Sequence, residues 1–446
     1  MKARILSLAV YWGVWLIMPA LIDGVSTLVQ LVQVILRRIA LRRHAVPKLE
    51  SPQGVSIIIP VYNGEQTLGS CLQSLREQTL PGELIEVIVV DNGSTDRTYQ
   101  VFQTQQSSGF RGQMHWISIS GRGKSYALNA GLHLASHPYI CNIDADTIVH
   151  PNALYEMMRH FQADPSIGAA TGAIEVLPVR PENRDRIAFM IAECEFQEYL
   201  GAFWLGRQGQ TSSGSLFTLA GAFSFFRREI LLKTLLYDKQ TVSEDTKVTF
   251  DMRTRFGEKR LACIPEAIVY VTPTPSLRAL YSQRVRWQRG EIEVAAVHQE
   301  LVDANILRLR GLALGRTLLI DHTFLFPRLV WTFLFPALVF FGYPLSLIIS
   351  AWLIIYIFYG LIAAISMLTV YAIATPPIRA RLRRNGWVIG VMPAYRTLTF
   401  GYRLAGSIMA LTEPAEWRVQ DPWTATIAAI RTLRDSIRNR YAAKDR

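Results

Sequence analysis

Residues 85–96 read IEVIVVDNGSTD. The first six are short, apolar and rich in β-branched side chains, which fits a strand buried on both faces of a parallel sheet. Asp91, Asn92, Gly93 and Ser94 all favour turns. Ser94, Thr95 and Asp96 can then cap a helix that carries Val101 and Phe102. Working outward, the same pattern recurs. Val55–Ile59, His115–Ile119 and Tyr139–Ile143 are further short apolar runs. Asn63 and Gln66 form an N-terminal capping pair after the first run, followed by Leu68, Leu72 and Leu75 at helical spacing. Ala127, Leu128, Gly131 and Leu134 mark a helix face after the third. The order βαβαβαβ predicts an α/β fold with a doubly wound sheet.

Such sheets bind ligands beyond the carboxyl ends of their strands. Polar residues gather there: Asp91–Ser94 after the second strand, Gly121-Arg122-Gly123-Lys124 after the third and Asp144-Ala145-Asp146 after the fourth. Taken alone, Asp91 reads equally well as a turn residue. The Gly-x-Gly-Lys loop lacks phosphate-loop spacing, yet a lysine at a helix start suits a diphosphate. Asp144 and Asp146 place like charges close together, which is costly unless a cation neutralises them. Their hard oxygen ligands select Mg²⁺ or Mn²⁺; the plainer reading is a solvated acidic turn. Farther on, Ser243-Glu244-Asp245 precedes a helix carrying Val248 and Met252. It reads both as a cap with acids at a helix start and as a base for an acceptor hydroxyl. Gln283-Arg284-Val285-Arg286-Trp287-Gln288-Arg289-Gly290 reads as a basic interfacial helix, or as arginine for diphosphate and tryptophan for a sugar ring.

The 446 residues include 47 basic and 35 acidic ones, for a net charge of +12, and 50% are hydrophobic. Disordered and collagenous chains are excluded. Only 18% are charged, against ~25% in ordinary soluble domains. Length alone suggests about three units of ~150 residues. Cys71, Cys141, Cys194 and Cys263 are scattered without a CxxC pair, which argues against a zinc site or disulfide framework and for a reducing compartment.

From Leu329 to Ile378 there is no Asp, Glu, Lys, Arg or His. At ~20 residues per span this stretch can hold two membrane helices, with Gly342, Pro344 or Ser346 as turn points. A second apolar stretch, Ile5–Leu36, is broken only by Asp23. It is too long for a signal peptide and reads as an uncleaved anchor. Arg37, Arg38, Arg42, Arg43 and Lys48 follow Ile5–Leu36, and Arg379, Arg381, Arg383 and Arg384 follow Leu329–Ile378. Basic loops stay cytoplasmic, which puts the middle of the chain in the cytosol. Trp387–Leu411 contains Arg396 and Arg403, so an interfacial or re-entrant segment is favoured over another crossing. The basic residues flank apolar spans, and a nucleic-acid partner gains no support from them. The expected organisation is an N-terminal anchor and basic loop at 1–48, a cytosolic domain at 49–310, transmembrane and interfacial helices at 311–412 and a basic cytosolic tail at 413–446, in the plasma membrane.

The ordered set VSIIIPVYN at 55–63, VVDNGSTD at 89–96, GRGKSYALNAGL at 121–132, DAD at 144–146, GAFSFFRR at 221–228, SED at 243–245 and QRVRW at 283–287 resembles the processive, membrane-embedded branch of glycosyltransferase family 2. That branch includes the cellulose, hyaluronan and poly-N-acetylglucosamine synthases. The resemblance covers about residues 53–300, and the flanks by architecture only. It implies a GT-A fold and inverting transfer from a UDP-sugar that builds a β-linked polysaccharide. Asp91 would contact the uridine, and Lys124 would lie near the nucleotide. Asp144 and Asp146 would form the DxD pair, with Asp146 the more direct ligand of Mg²⁺ or Mn²⁺. Asp245 would be the general base, supported by Glu244. Gln283, Arg286 and Trp287 would lie under the acceptor and the diphosphate, and Phe223–Arg228 would shape the acceptor side.

The chain departs from that pattern in two ways. Ser243 replaces the usual threonine but keeps the hydroxyl. Three spans are fewer than the large synthases carry, so export of a polymer would call for a small membrane partner or a homodimer. Two alternatives stand beside the processive synthase. One is transfer of a single sugar to a lipid-linked or short glycan acceptor, which usually lacks QxxRW. The other is a membrane scaffold with a vestigial site, which predicts decay of Asp144, Asp146 and Asp245; all three are present.

Overall fold

The computed structural model describes most of residues 23–36, residues 46–297 apart from 122, 180–184, 235 and 238–242, residues 337–412, and scattered positions within 426–434. The chain divides into one unit of residues 1–44 and 315–401 and a second of residues 45–314 and 402–446.

The second unit is built on a sheet of β1 (Val55–Val61), β2 (Ile85–Asp91), β3 (Gln113–Ser118), β4 (Tyr139–Ile143), β5 (Ile148–Val149), β6 (Ile167–Val176), β7 (Phe223–Arg227) and β8 (Arg260–Val271). Their order is β3-β2-β1-β4-β7-β6-β8-β5. The first four are parallel, with β1 between β2 and β4. The direction of winding therefore reverses between β1 and β4, and the crevice at that point is where such a sheet places its ligand. β7 runs antiparallel to β4 and β6, and β8 runs parallel to β6.

The crossovers are α1 (Leu68–Arg76), α2 (Thr98–Ser107) and α3 (Lys124–Leu134). Ile57, Ile58, Ile59, Val87 and Val89 are fully buried, as expected for strands covered on both faces. One core cluster joins Ile58, Ile88 and Val90 of the sheet to Ala127, Leu128 and Leu132 of α3 and to Phe226 of β7. α4 (Ala153–Ala163) follows. α5 (Arg186–Leu200) is capped by Asp185, whose Oδ1 accepts the N–H groups of Ile187 and Ala188 at 2.8 and 3.3 Å. It runs on through a π-helical turn, Gly201–Gly206, into α6 (Arg207–Ser212). α7 (Glu244–Arg255) and α8 (Leu277–Val297) come later.

Local expectations differ in four places. β3 is an edge strand, so its side chains are only partly covered and Met114 alone is buried. Leu134 is exposed, and Leu132 takes its place on the buried face of α3. Asn63 and Gln66 do not cap α1. Its N-cap is Thr67, without a side-chain bond, because the Asn63 amide is used elsewhere: Oδ1 accepts the Thr95 N–H at 2.8 Å. Of the residues before α2, Asp96 does the capping, accepting the Thr98 N–H at 3.1 Å. Ser94 instead accepts the Asn63 N–H at 2.9 Å. The β1 and β2 loops are thus tied to each other rather than to their own helices.

In the first unit, α9 (Leu345–Ile373) has 29 residues and a mean hydropathy of 2.4. Among the described residues it is the one helix long and apolar enough to cross a membrane. Of the candidate turn points, Gly342 turns with φ 73°, Pro344 precedes the first residue of α9, and Ser346 lies inside it. α10 (Pro376–Arg384) carries the basic run Arg379, Arg381, Arg383 and Arg384. α11 (Val388–Thr412) contains Pro393, Arg396 and Arg403 and is not a helix of the membrane-crossing kind. Of the expected spans, α9 lies within the described residues; most of the N-terminal anchor, the span before Gly342 and most of the basic tail lie outside them.

Candidate active site

The site forms where the β4 loop meets the starts of α3 and α7. Asp144 and Asp146 follow β4 directly, Lys124 is the first residue of α3, and Glu244 and Asp245 are the first two of α7. Lys124 Nζ lies 2.6 Å from Asp144 Oδ1 and 2.9 Å from Glu244 Oε1. These two carboxylates hold the ammonium protonated, outweighing the cost of its burial. Glu244 in turn is held below the ordinary carboxylate range: Lys124 and its hydrogen bond overcome burial, and the Arg286 charge adds to them.

Asp245 has the opposite balance. Its Oδ2 accepts the Gly221 N–H at 2.9 Å and its Oδ1 accepts the Thr246 N–H at 2.7 Å. Burial first, and then the charge of Glu244, raise its pKa to about 6. Two adjacent carboxylates are thereby driven apart, the arrangement that separates acid–base roles. Gly221 is pinned between them. A Cβ there would sit 3.1 Å from Lys124 Nζ and 3.2 Å from Asp245 Oδ2.

Asp146 is exposed, yet partial desolvation by its neighbours and the charge of Asp144 raise it, with Lys124 and Arg286 opposing. A carboxylate pushed up by its neighbour fits a position for a cation. Asp144 and Asp146 supply two hard oxygen donors, too few for an all-protein cage but matched to Mg²⁺ or Mn²⁺ shared with diphosphate oxygens. Among the described residues no group of three or more His, Cys, Asp and Glu side chains could hold a metal, so a cation on Asp144 and Asp146 would take further ligands from outside those side chains. All four cysteines are buried and unbridged.

Asp91 closes β2 and is buried. Its Oδ1 accepts the Ser94 N–H at 2.9 Å, so the carboxylate is shaped by its own turn. Beside it, Asn92 Oδ1 accepts the Gly123 N–H at 3.2 Å, which links the β2 loop to the residue before Lys124. Gly123 has φ 130°, a conformation that favours glycine. Phe223–Arg227 is β7 itself, and Phe223, Phe225 and Phe226 are core residues. They do not line an open surface: β7 is an interior strand between β4 and β6, and these three rings are packed into the core on the faces of the sheet.

Gln283, Arg286 and Trp287 lie on α8. Arg286 is exposed and acts electrostatically on Asp146 and Glu244. Gln283 Oε1 is buried without a hydrogen-bond partner. Trp287 is half-buried and packs 6.4 Å from the ring of Tyr199. The structure thus brings Lys124, Asp144, Asp146, Glu244, Asp245 and Arg286 into one electrostatic group, with Asp91 on the adjoining loop and Trp287 against α5.

Sequence reasoning missed Tyr199 and Arg207, and it read Gly221 only as the first residue of the GAFSFFRR segment. Arg207 Nη1 donates to the Thr218 carbonyl at 2.9 Å, and its charge opposes the rise of Asp245. Thr218 and Thr246 share a hydroxyl hydrogen bond of 2.9 Å. Tyr199 and Arg207 lie on no motif; an arginine directly after a run of apolar helix is the only signal Arg207 leaves in the sequence.

Residues 56–235 match the model of glycosyl transferase family 2. Over 259 residues the chain is 28% identical to a poly-beta-1,6-N-acetyl-D-glucosamine synthase of Staphylococcus aureus (strain COL), covering 58% of this chain and 59% of that protein. The corresponding Staphylococcus epidermidis synthase is 26% identical over 244 residues, 54% of this chain and 55% of that one. The match thus spans under two thirds of these relatives' length. The fold is similar to that of the mannosyltransferase PcManGT from Pyrobaculum calidifontis, solved with GDP-Man and Mn²⁺, at a TM-score of 0.50 and 18% identity, covering 87% of this chain and 98% of that one. The chain therefore carries a family 2 glycosyltransferase domain with a GT-A-like α/β fold, and it resembles the poly-N-acetylglucosamine synthases.

Proposed function

We propose that the chain is an inverting glycosyltransferase that moves a sugar from a UDP-sugar onto a growing β-linked polysaccharide. The observation that carries this reading is Asp245: a half-buried carboxylate with a pKa of about 6, fixed by two backbone N–H groups. A general base is most effective with a pKa near the working pH. In the proposed step the Asp245 carboxylate takes the proton of the acceptor hydroxyl. The freed oxygen attacks the anomeric carbon from the face opposite the diphosphate, the bond to the diphosphate oxygen breaks, and UDP leaves. Glu244, paired with Lys124, keeps its negative charge beside Asp245 and holds the base's affinity for that proton up. Lys124 and Arg286 provide positive charge toward the leaving diphosphate. Asp91 is assigned to the uridine, and Gln283 and Trp287 to the acceptor side. Asp144 and Asp146 would hold Mg²⁺ or Mn²⁺, which offsets the diphosphate's developing charge.

The Gln283–Trp287 segment and the likeness to polysaccharide synthases support the processive reading over transfer of one sugar to a lipid. The same reading places the catalytic domain at 49–310 in the cytosol, held at the plasma membrane by α9 and by the apolar segments within 1–48 and 311–412.

Asp245→Asn tests the base. Asparagine keeps the Gly221 contact but cannot take the proton. Transfer should fall by at least about 10²-fold, with UDP binding by calorimetry unchanged. Near-normal turnover in this variant contradicts the assignment.

A further inference from the structure

α8 carries a second arginine that this chemistry does not use. Arg284 is 1% exposed. Its Nη2 lies 2.6 Å from Glu198 Oε2 and 3.6 Å from Glu195 Oε1. Both acids belong to α5. Glu195 also accepts the Thr274 N–H at 2.8 Å and the Thr274 hydroxyl, which ties it to the strand-to-helix link before α8. The Arg284 guanidinium carbon sits 4.6 Å from the centroid of the Trp287 indole. Arg284 and Trp287 are three residues apart, so they are neighbours on the helix surface. The Tyr199 ring of α5 flanks the same indole.

A buried ion cluster of this kind contributes little net stability, and apolar replacements are often as good. Its geometry has another consequence. The planar guanidinium is held by two carboxylates, and the indole is held by the guanidinium through a cation–π contact. One face of Trp287 is therefore fixed by α5 while the residue stays half-open.

We infer that Arg284, clamped by Glu195 and Glu198, is a positioning residue that fixes the Trp287 indole as the stacking platform for the acceptor glycan. The inference rests on the glycosyltransferase reading and deepens it by naming what sets the acceptor surface. It also gives the buried acids of α5 a part in acceptor handling and none in donor binding.

The test uses the full chain in detergent, labelled with 5-fluorotryptophan, with the Trp287 resonance identified by its loss in Trp287→Phe. Arg284→Lys keeps the charge and loses the plane. Glu198→Gln is a milder second variant that leaves Glu195 in place. Both should shift or broaden the Trp287 resonance. With UDP-N-acetylglucosamine and a β-1,6-linked N-acetylglucosamine oligomer as probes, Arg284→Lys should raise the acceptor KM about tenfold, the scale of a desolvated cation–π contact. UDP affinity should stay as it is. In the Trp287→Phe background the same change should have no further effect on acceptor KM, since coupled residues are non-additive.

An unmoved resonance in both variants overturns the clamp. A moved resonance with an unchanged acceptor KM, or additive losses in the double variant, overturns its part in acceptor binding. A moved resonance in a chain that turns over no UDP-sugar supports the clamp and counts against the glycosyltransferase reading instead.

Discussion

Asp245 and Glu244 are adjacent in sequence and opposite in character. Lys124 lies 2.9 Å from Glu244 and keeps it charged, while Asp245 is buried beside that charge and rises to about 6. The ordinary value of its carboxyl is 3.8, so the folded state binds its proton more tightly than the unfolded chain does. The stability Asp245 contributes is therefore fully present below about pH 4 and is lost as pH rises through about 6. Asp245→Asn removes that loss. The variant should melt higher than the parent above pH 6, by about 2–4 °C per kcal/mol relieved, with the gap closing below pH 4. Thermal melts from pH 4 to pH 8 measure it; a gap independent of pH contradicts the burial account. Transfer by the parent should fall on the acid side of pH 6 as the base becomes protonated. A flat rate from pH 5 to pH 7 does the same damage. The position of Asp245 was legible because SED is local. Its tuning was not, because Gly221 and Lys124 come from other parts of the chain.

At the scale of elements, the first three crossovers were legible because each strand is a short apolar run, buried and β-branched in β1 and β2, and each helix has a 3.6-residue face. What local pattern could not say was which strand would be the edge. β3 reads like its neighbours, yet the order β3-β2-β1-β4 leaves one side of it uncovered. Capping failed for a similar reason: Asn63 is a good cap by composition, but a partner 32 residues away claims its amide. The contact of α3 with the sheet depends on Gly131. A Cβ there would lie 2.5 Å from Ile58 Cγ2 and 3.3 Å from Val90 Cγ2. Gly131→Ala gains helix propensity but overpacks this seam, which typically costs about 1–3 kcal/mol. Urea unfolding should show a lower midpoint with an unchanged slope; a midpoint at or above the parent's contradicts the close packing. The same change tilts Lys124 on α3, so donor binding should weaken along with stability.

For the whole molecule, the carboxyl ends of β2 and β4 and the starts of α3 and α7 converge on one crevice. Asp91, Lys124, Asp144 and Asp146 could be found from their places after predicted strands, and Asp245 from its motif. The partners of Arg284 and Arg207, Glu198 and Thr218, could not, since those pairings are known only once the chain has packed. The apolar segment was legible as charge-free composition, and α9 is the one helix among the described residues long and apolar enough to cross a membrane. The central claim is a metal-assisted transfer that releases UDP. The measurement is UDP release by the detergent-purified full chain over a panel of UDP-sugars, with Mn²⁺ or Mg²⁺ and after chelation. The account predicts that one donor releases UDP, that chelation stops it, and that the product lengthens with time. Release from no donor, together with no UDP binding in the presence of either metal, would contradict it.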